Sequence, residues 1–198
     1  MNKMIVGLIL IFALLGIFYL TRDTKSSDGL FNLSSSSKED PLLFSYWKKY
    51  ESKSGDFEVL VPSEPQYAKD FIDIPGSDKK KRYEIFASEK PDGTLFMISV
   101  ITYPTEIDMG NTREILKNMV HELAAGKKDH KLNDLAEIEK AGKLTYHFNI
   151  ENNEFKIQGE TFLVNNVQYV ISYIVRKENY NEAEYNHFVN SFTLLPKM

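Results

Sequence analysis

Hydrophobic and polar residues alternate along three consecutive stretches between residues 143 and 176. In Lys143–Glu151 every second side chain is apolar or aromatic, which gives a predicted strand one apolar face and one polar face. Residues 154–164 repeat this period of two, and Val167–Arg176 is apolar on both faces. The pattern predicts a β-meander whose last strand lies in the middle of a sheet covered on both sides.

Pairs of asparagines separate the three predicted strands. Asn152 and Asn153 follow the first strand, and Asn165 and Asn166 follow the second. Asparagine tolerates the positive φ angle that tight hairpin turns require. We therefore predict that both links are hairpin turns.

The same alternation predicts further strands, at Phe57–Val61 and at residues 67–74, 83–88, 94–103 and 132–139. Residues 94–103 are apolar on both faces and are predicted to form a second central strand. Pro91, Asp92 and Gly93 precede it and predict a turn, because proline presets φ and glycine accepts a left-handed conformation. The basic run at residues 79–82 is predicted to be a charged hairpin tip.

Two helices are predicted from capping residues and from apolar residues at helical spacing. Asn111 with Glu114 begins the first, and Gly126 lies where a C′ glycine is expected. Asn181 with Glu184 forms a capping-box pattern at the start of the second. The apolar stripe of this second helix consists of Tyr185, Phe188, Val189 and Phe192.

The N-terminal region contains 17 residues without a charge, at positions 4–20. As a helix they would span roughly 25 Å, within the range for a membrane-crossing segment. A secretory signal peptide is the alternative, but no small-x-small cleavage site occurs near the end of the run. Tyr19 and Arg22 suit an anchor, so we predict an uncleaved membrane anchor with the domain exported to the periplasm or cell surface.

These features divide the chain into three regions: an anchor at residues 1–20, a flexible Ser-rich linker at 21–43, and a domain at 44–198. The net charge of −4 falls entirely on the domain, because residues 1–43 contain four basic and four acidic side chains. A mildly acidic domain is a poor candidate for binding nucleic acid. The absence of cysteine excludes disulfides, thiolate metal sites and thiol nucleophiles.

No catalytic motif emerges from the remaining residues. The glycines form no nucleotide-binding or nucleophile-elbow pattern, and the position four residues after His121 is not histidine, as a zinc-protease helix would require. The carboxylates of Glu137 and Glu139 would share one strand face, as general acid–base chemistry could require. Carboxylates at alternate positions are also typical of the solvent-exposed face of a strand. We predict no cofactor and no metal site.

Tyr46, Trp47 and Tyr50 form an aromatic cluster at the start of the domain. Such a cluster can bind a partner or, alternatively, fill the end of a sheet. These three residues are the possible interaction patch that the sequence offers.

The two ends of the domain resemble bacterial envelope domains with the Mog1/PsbP-like fold. The resemblance rests on the spacing of Trp47, Tyr50, Ser52, Gly55, Phe57, Val59, Val61, Pro62 and Pro65, and on the final run from Phe188 to Pro196. It implies an α+β fold in which an antiparallel sheet has helices on both faces, an α/β/α sandwich. It also implies a non-catalytic, protein-binding role, as in the Ran-binding Mog1 proteins and the photosystem-associated PsbP proteins.

The sequence thus predicts a membrane-tethered, non-enzymatic module that binds another envelope protein. Two alternatives remain at this point. The aromatic-rich interior is compatible with a carrier of a small apolar or lipid ligand, which would need a closed cavity of several hundred Å³. Carboxylates are compatible with an envelope hydrolase, which would need ionisable groups that converge in a cleft.

Overall fold

The structure is a computed structural model that describes residues 44–54 and 56–196. The predicted anchor and linker lie outside these residues. Among the described residues, neither α-helix has the length and apolar character needed to cross a membrane. Ten strands and two α-helices occur in this part of the chain: β1 Lys48–Glu51, β2 Phe57–Val61, β3 Gln66–Asp73, β4 Lys80–Glu89, β5 Leu95–Thr102, α1 Thr112–Ala125, β6 Lys131–Lys140, β7 Lys143–Glu151, β8 Phe155–Val164, β9 Val167–Arg176, α2 Glu182–Ser191 and β10 Thr193–Leu194.

Seven strands form one antiparallel sheet in the order β3-β4-β5-β9-β8-β7-β6. The doubly apolar strands β5 and β9 pair with each other at its centre, as the sequence predicted. The meander of β7, β8 and β9 is also confirmed. Strands β1, β2 and β10 form a second, three-stranded sheet that the sequence did not predict.

Each face of the large sheet carries its own hydrophobic core. One face, which we call the α1 face, packs against Met119, Val120 and Leu123 of α1. The other face, the α2 face, packs against α2, the small sheet and the residue before β1, which contribute Trp47, Tyr50, Phe57, Val59, Val61, Tyr185, Phe188 and Val189. The α+β fold with antiparallel strands and two helices is therefore confirmed, but the layer beside α2 also contains a sheet.

The basic run at residues 79–82 is not a hairpin tip, so that prediction was wrong. Lys80 and Lys81 already belong to β4, where they pair with Asp73 and Ile72 of β3. A strand accommodates these side chains because the long apolar stem packs while the ammonium group reaches water. Lys81 is more enclosed, since its Nζ lies 5.6 Å from the centre of the Tyr103 ring and burial lowers its pKa.

The predicted caps are largely present, with two differences. The side chain of Asn111 accepts a hydrogen bond from the Glu114 N–H, as predicted. Gly126 ends α1 with a right-handed φ of −61°, so it does not adopt the left-handed C′ conformation. The side chain of Asn181 caps α2, but the Glu184 carboxylate does not complete the capping box because it binds Lys90 instead.

The two asparagine links achieve their turns in different ways. Asn165 has the positive φ expected of a hairpin turn, at 54°. Asn152 instead accepts hydrogen bonds from the N–H groups of Glu154 and Phe155 through its side chain. Such an Asx turn reverses the chain without a left-handed residue at that position.

Candidate functional site

Two large aromatic side chains are exposed on the edge strand β3. Tyr67 is 41% exposed and Phe71 is 54% exposed. They lie four residues apart in a strand, so both point to the same face of the sheet. This is the α2 face, because Tyr67 lies opposite Phe86, a residue of the core on that side.

Within the part of the chain that the structure describes, the small sheet does not extend over Phe71 on the α2 face. Its edge strand β1 reaches as far as Phe86, whose ring centre lies 6.1 Å from that of Tyr50. Tyr67 also packs against Phe86, at 5.1 Å between ring centres. Phe71 lies farther along β3 and is the more exposed of the two aromatic residues. We define the β3 surface by the six side chains that cluster here: Lys53, Tyr67, Lys69, Phe71, Arg82 and Glu84.

A polar network fixes the inner side of the β3 surface. The hydroxyl of Tyr67 donates a hydrogen bond of 2.8 Å to Glu84 Oε1, and Arg82 Nε lies 3.0 Å from Glu84 Oε2. Arg82 also donates to Thr102 Oγ1 at 3.2 Å. Partial burial, followed by the hydrogen bond to Glu84, raises the pKa of Tyr67. The Tyr67 ring is therefore held in one orientation as a neutral phenol.

Two lysines lie over the exposed aromatic rings. The Nζ of Lys69 is 5.4 Å from the centre of the Phe71 ring, and the Nζ of Lys53 is 5.7 Å from that of Tyr67. Within the described part of the chain, neither lysine forms a salt bridge. With Arg82 they give the β3 surface three positive charges against one carboxylate. The surface is therefore positive although the domain as a whole is acidic.

Among residues 44–54 and 56–196, the backbone of β3 has one hydrogen-bonded neighbour, β4, and no partner strand on its second side. The N–H of Phe71 donates to its neighbour's side chain, Asp70 Oδ1, at 2.7 Å, so it points away from β4. The N–H of Ile74 donates to Lys79 O and points towards β4. Because backbone groups alternate along a strand, the outward groups belong to Tyr67, Lys69, Phe71 and Asp73.

The opposite edge of the sheet, β6, is built differently. Its register shifts between Leu132 and Asp134, a bulge that interrupts regular pairing. Arg113 of α1 reaches over to Glu137 of β6, with Nη2 at 2.9 Å from Oε1. Bulges and charged side chains are devices that discourage another strand from adding to an edge. Strand β3 has no bulge over its eight paired residues.

The sequence-predicted patch does not form one exposed surface. Trp47 and Tyr50 are buried at 7% and 9% exposure, while Tyr46 is 50% exposed. Trp47 packs edge-on against Phe96 at 4.8 Å and against His187 at 5.1 Å between ring centres. A binding role for Tyr46, Trp47 and Tyr50 stays a prediction, to which Tyr46 contributes the accessible ring.

The candidate catalytic groups are dispersed. Glu137 and Glu139 share the α1 face of β6, opposite Tyr146 and Leu144. Hydrogen bonds from Arg113 and from Tyr146 lower the pKa of Glu137 to about 2, far from the neutral range that suits a general acid or base. Among the described residues, no group of three or more His, Cys, Asp and Glu side chains is arranged to hold a metal ion.

A small cavity of about 70 Å³ lies between α2 and the strands β7, β8 and β9. Its floor is apolar, and the Lys140–Glu160 ion pair, at 2.8 Å, lies at its rim. The volume is well below the several hundred Å³ of a typical ligand site. The apolar lining consists of Phe162, Ile171, Val189 and Phe192.

Sequence reasoning missed the β3 surface. The alternation that predicted a strand here also placed Tyr67, Lys69 and Phe71 on one face. Which strand lies at an edge, and how far the small sheet extends, depends on pairings between residues distant in the chain. The sequence feature that could have revealed this surface was two aromatic residues on one face of a strand that also carries Lys69 and two aspartates.

No protein-family model matches the chain, and no curated protein matches its sequence. The solution structure of the cyanobacterial PsbP protein (CyanoP) from Synechocystis sp. PCC 6803 superposes with a TM-score of 0.52 at 12% identity. The match covers 82% of this chain and 98% of that chain. A Pseudomonas aeruginosa protein of unknown function gives a TM-score of 0.34 at 7% identity, over 68% of this chain and 85% of that chain, which is too low to support an argument. The likeness to CyanoP confirms the fold that the resemblance implied: the chain has a PsbP-like fold.

Proposed function

We propose that the domain is a non-catalytic module that binds another protein through the β3 surface. The observation that carries this proposal is the exposure of Tyr67 and Phe71 on one face of an edge strand, with Lys69 between them. Aromatic side chains and arginine are the residues most enriched among those that dominate binding energy at protein interfaces. The β3 surface combines both types, in a region that the domain's own packing leaves open.

The arrangement suits binding because part of it is already ordered. The hydrogen bond from Tyr67 to Glu84 and the contact of Tyr67 with Phe86 fix one ring before a partner arrives. Binding then loses less side-chain entropy, which otherwise costs about 0.5–1.5 kcal/mol for each mobile side chain. The positive charge of Lys53 and Lys69 favours a partner whose contact surface is acidic.

The proposal includes a membrane tether formed by residues 4–20 and a linker formed by residues 21–43. A flexible linker of about 20 residues has an r.m.s. reach of roughly 25 Å. It would hold the domain near the bilayer and raise its effective concentration towards neighbouring envelope proteins. A contact of modest area, such as the β3 surface offers, would then be sufficient.

The alternative of a carrier for an apolar ligand has weaker support. The cavity beside α2, at about 70 Å³, holds a small side chain or a few carbon atoms. A lipid or drug-sized ligand requires several times that volume. The positive, aromatic β3 surface is not the kind of feature that a carrier needs.

Affinity capture of the full-length chain from its native cells, after cross-linking, tests the proposal. We expect the captured proteins to be lost in the Tyr67→Ser and Phe71→Ser variants, and to be retained in Tyr46→Ser. Tyr46 is a matched control because it is equally aromatic and 50% exposed. Loss in Tyr46→Ser alone would favour the sequence-predicted aromatic patch, and capture unchanged by all three would contradict the proposal.

A further inference from the structure

The free side of β3 has a sequence that is complementary to itself. Phe71 lies at the midpoint between Lys69 and Asp73, which carry opposite charges. All three belong to the set of residues whose backbone groups point outward from the sheet. Their side chains also share the α2 face. The same strand therefore offers outward backbone groups at all three positions and opposite charges at the outer two.

Two copies of β3 can pair antiparallel about a two-fold axis, with one residue lying opposite its own copy. If Lys69 or Asp70 occupies the axis, like charges lie directly opposite, which is destabilising. If Ala68 or Ile72 occupies the axis, no charged residue of the strand lies opposite a residue of opposite charge. If Phe71 occupies it, Lys69 lies opposite the partner's Asp73 on both sides.

We infer that β3 pairs antiparallel with β3 of a second copy of this chain, with Phe71 opposite the partner's Phe71. Outward residues 69, 71 and 73 would each meet an outward residue, which gives about six backbone hydrogen bonds. The two seven-stranded sheets would then form one continuous sheet. Each Lys69, which has no carboxylate partner among the described residues, would gain the Asp73 carboxylate of the second copy, which in one copy alone lies 3.3 Å from Lys80 Nζ.

The contact is compatible with the rest of the fold. In this register Tyr67 extends beyond the paired segment, so the small sheet beside Tyr67 in each copy lies at an opposite end of the contact. The group that must move is the Asp70 carboxylate, which now accepts the Phe71 N–H. Five paired residues form a small contact, so we expect a weak dimer that a shared membrane would favour.

This inference does not depend on the proposed function. Pairing uses the backbone edge of β3, while the aromatic rings project from the face of the sheet and stay exposed. Dimerisation would bring two β3 surfaces together around the Phe71 pair. A partner protein would then meet a doubled aromatic surface.

Single-cysteine variants of the full-length chain test the register, because the natural chain contains no cysteine. Residues 71 of the two copies would lie with Cα atoms about 5.5 Å apart, whereas residues 67 would lie about 27 Å apart along the strands. With a short bismaleimide we expect Phe71→Cys to form cross-linked dimers and Tyr67→Cys to form none. Tyr67→Cys is the matched control because it also replaces an exposed aromatic residue on β3.

A charge exchange gives a second, independent readout. Lys69→Asp places two acidic residues opposite each other, and Asp73→Lys places two lysines opposite each other. We expect either change to raise the dissociation constant of the dimer about tenfold. A mixture of the two variants should form heterodimers, because one chain then carries acidic side chains at both positions and the other carries basic side chains at both.

Cross-linking that is strongest at residue 71, together with heterodimers in the mixture, would support the inference. Lys69→Cys or Asp70→Cys variants that cross-link more strongly than Phe71→Cys would overturn the register. A folded, monomeric chain at membrane concentrations, with no cross-linking at any position of β3, would overturn the dimer itself. The capture of another protein by the Tyr67 ring is measured separately, so the two proposals can fail independently.

Discussion

Glu184, in the first turn of α2, accepts a hydrogen bond of 2.6 Å from the Nζ of Lys90. The two residues are 94 positions apart in the chain. Tyr173 of β9 donates a second hydrogen bond to the same carboxylate at 3.3 Å. This buried carboxylate therefore joins the turn before β5, the central strand β9 and the helix that covers the α2 face.

We expect Glu184→Gln to lower the free energy of unfolding by about 1–3 kcal/mol, because Lys90 loses the nearer and more buried of its two carboxylate partners and keeps only Asp92, at 3.3 Å. Glu182→Gln is the control, since Glu182 lies in the same first turn but is exposed. Urea denaturation of both variants measures the difference. Equal losses in the two variants would show that the helix dipole, and not the contact with Lys90, is responsible.

The Glu184 contact shows where sequence reasoning ends. The capping-box pattern correctly predicted where α2 begins, because Asn181 acts through its neighbours in sequence. It was wrong for the Glu184 side chain, since a cation from a distant turn competes for the carboxylate. Local sequence patterns predict local geometry, but they do not show which side chain from a distant part of the chain will bind a given residue.

The same limit explains which strands were found. Strands β5, β7 and β9 are eight to ten residues long, which is enough to show the alternation of β7 and the continuous apolar runs of β5 and β9. Strands β1 and β10 have four and two residues, too few to establish any period. The β3 surface was missed for a related reason: strand β3 was predicted, but its place at the edge is a property of the whole sheet.

Phe188 and Phe192 belong to the same predicted stripe, but they differ in burial. Phe188 is fully buried against the sheet, whereas Phe192 is partly exposed. We expect Phe188→Ala to cost about 3–5 kcal/mol of stability and Phe192→Ala clearly less, about 1–3 kcal/mol. Thermal or chemical unfolding measures both, and a Phe188→Ala variant as stable as the parent would mean that α2 does not dock as described.

Arg113 should control the ionisation of Glu137. Arg113 and then Tyr146 lower the pKa of Glu137 to about 2 through hydrogen bonds. The folded-state pKa is lower than the usual 4.5, so this pair stabilises the fold above about pH 4.5, and the contribution is lost as the pH falls towards 2.

We therefore expect the Glu137 pKa to rise towards 4.5 in Arg113→Ala, as measured by NMR titration of the side-chain carboxyl carbon. Lys117→Ala should produce a smaller rise, because Lys117 acts only through its charge and is the weakest of the influences on Glu137. A Glu137 titration unchanged by Arg113→Ala would contradict this arrangement.

Asp70 should restrain the pairing of β3 with a second copy. Its carboxylate occupies the N–H of Phe71, one of the groups that the inferred dimer requires. We expect Asp70→Ala to increase the dimer fraction of the full-length chain in analytical ultracentrifugation, because the competitor for that N–H is removed. Asp73→Asn, which keeps the backbone but removes the charge that meets Lys69, should decrease it. A decrease with Asp70→Ala would contradict the inferred contact.

The most direct test of the β3 surface is site-specific photo-cross-linking in the native cells. A photoreactive phenylalanine analogue replaces Tyr67, which the inferred dimer leaves far from its own copy, and in a control chain it replaces Lys128, an exposed residue after α1. The account predicts one discrete cross-linked product at residue 67, identified by mass spectrometry as another protein, and no such product at residue 128. The absence of any product at residue 67, or the same products at both positions, would contradict it.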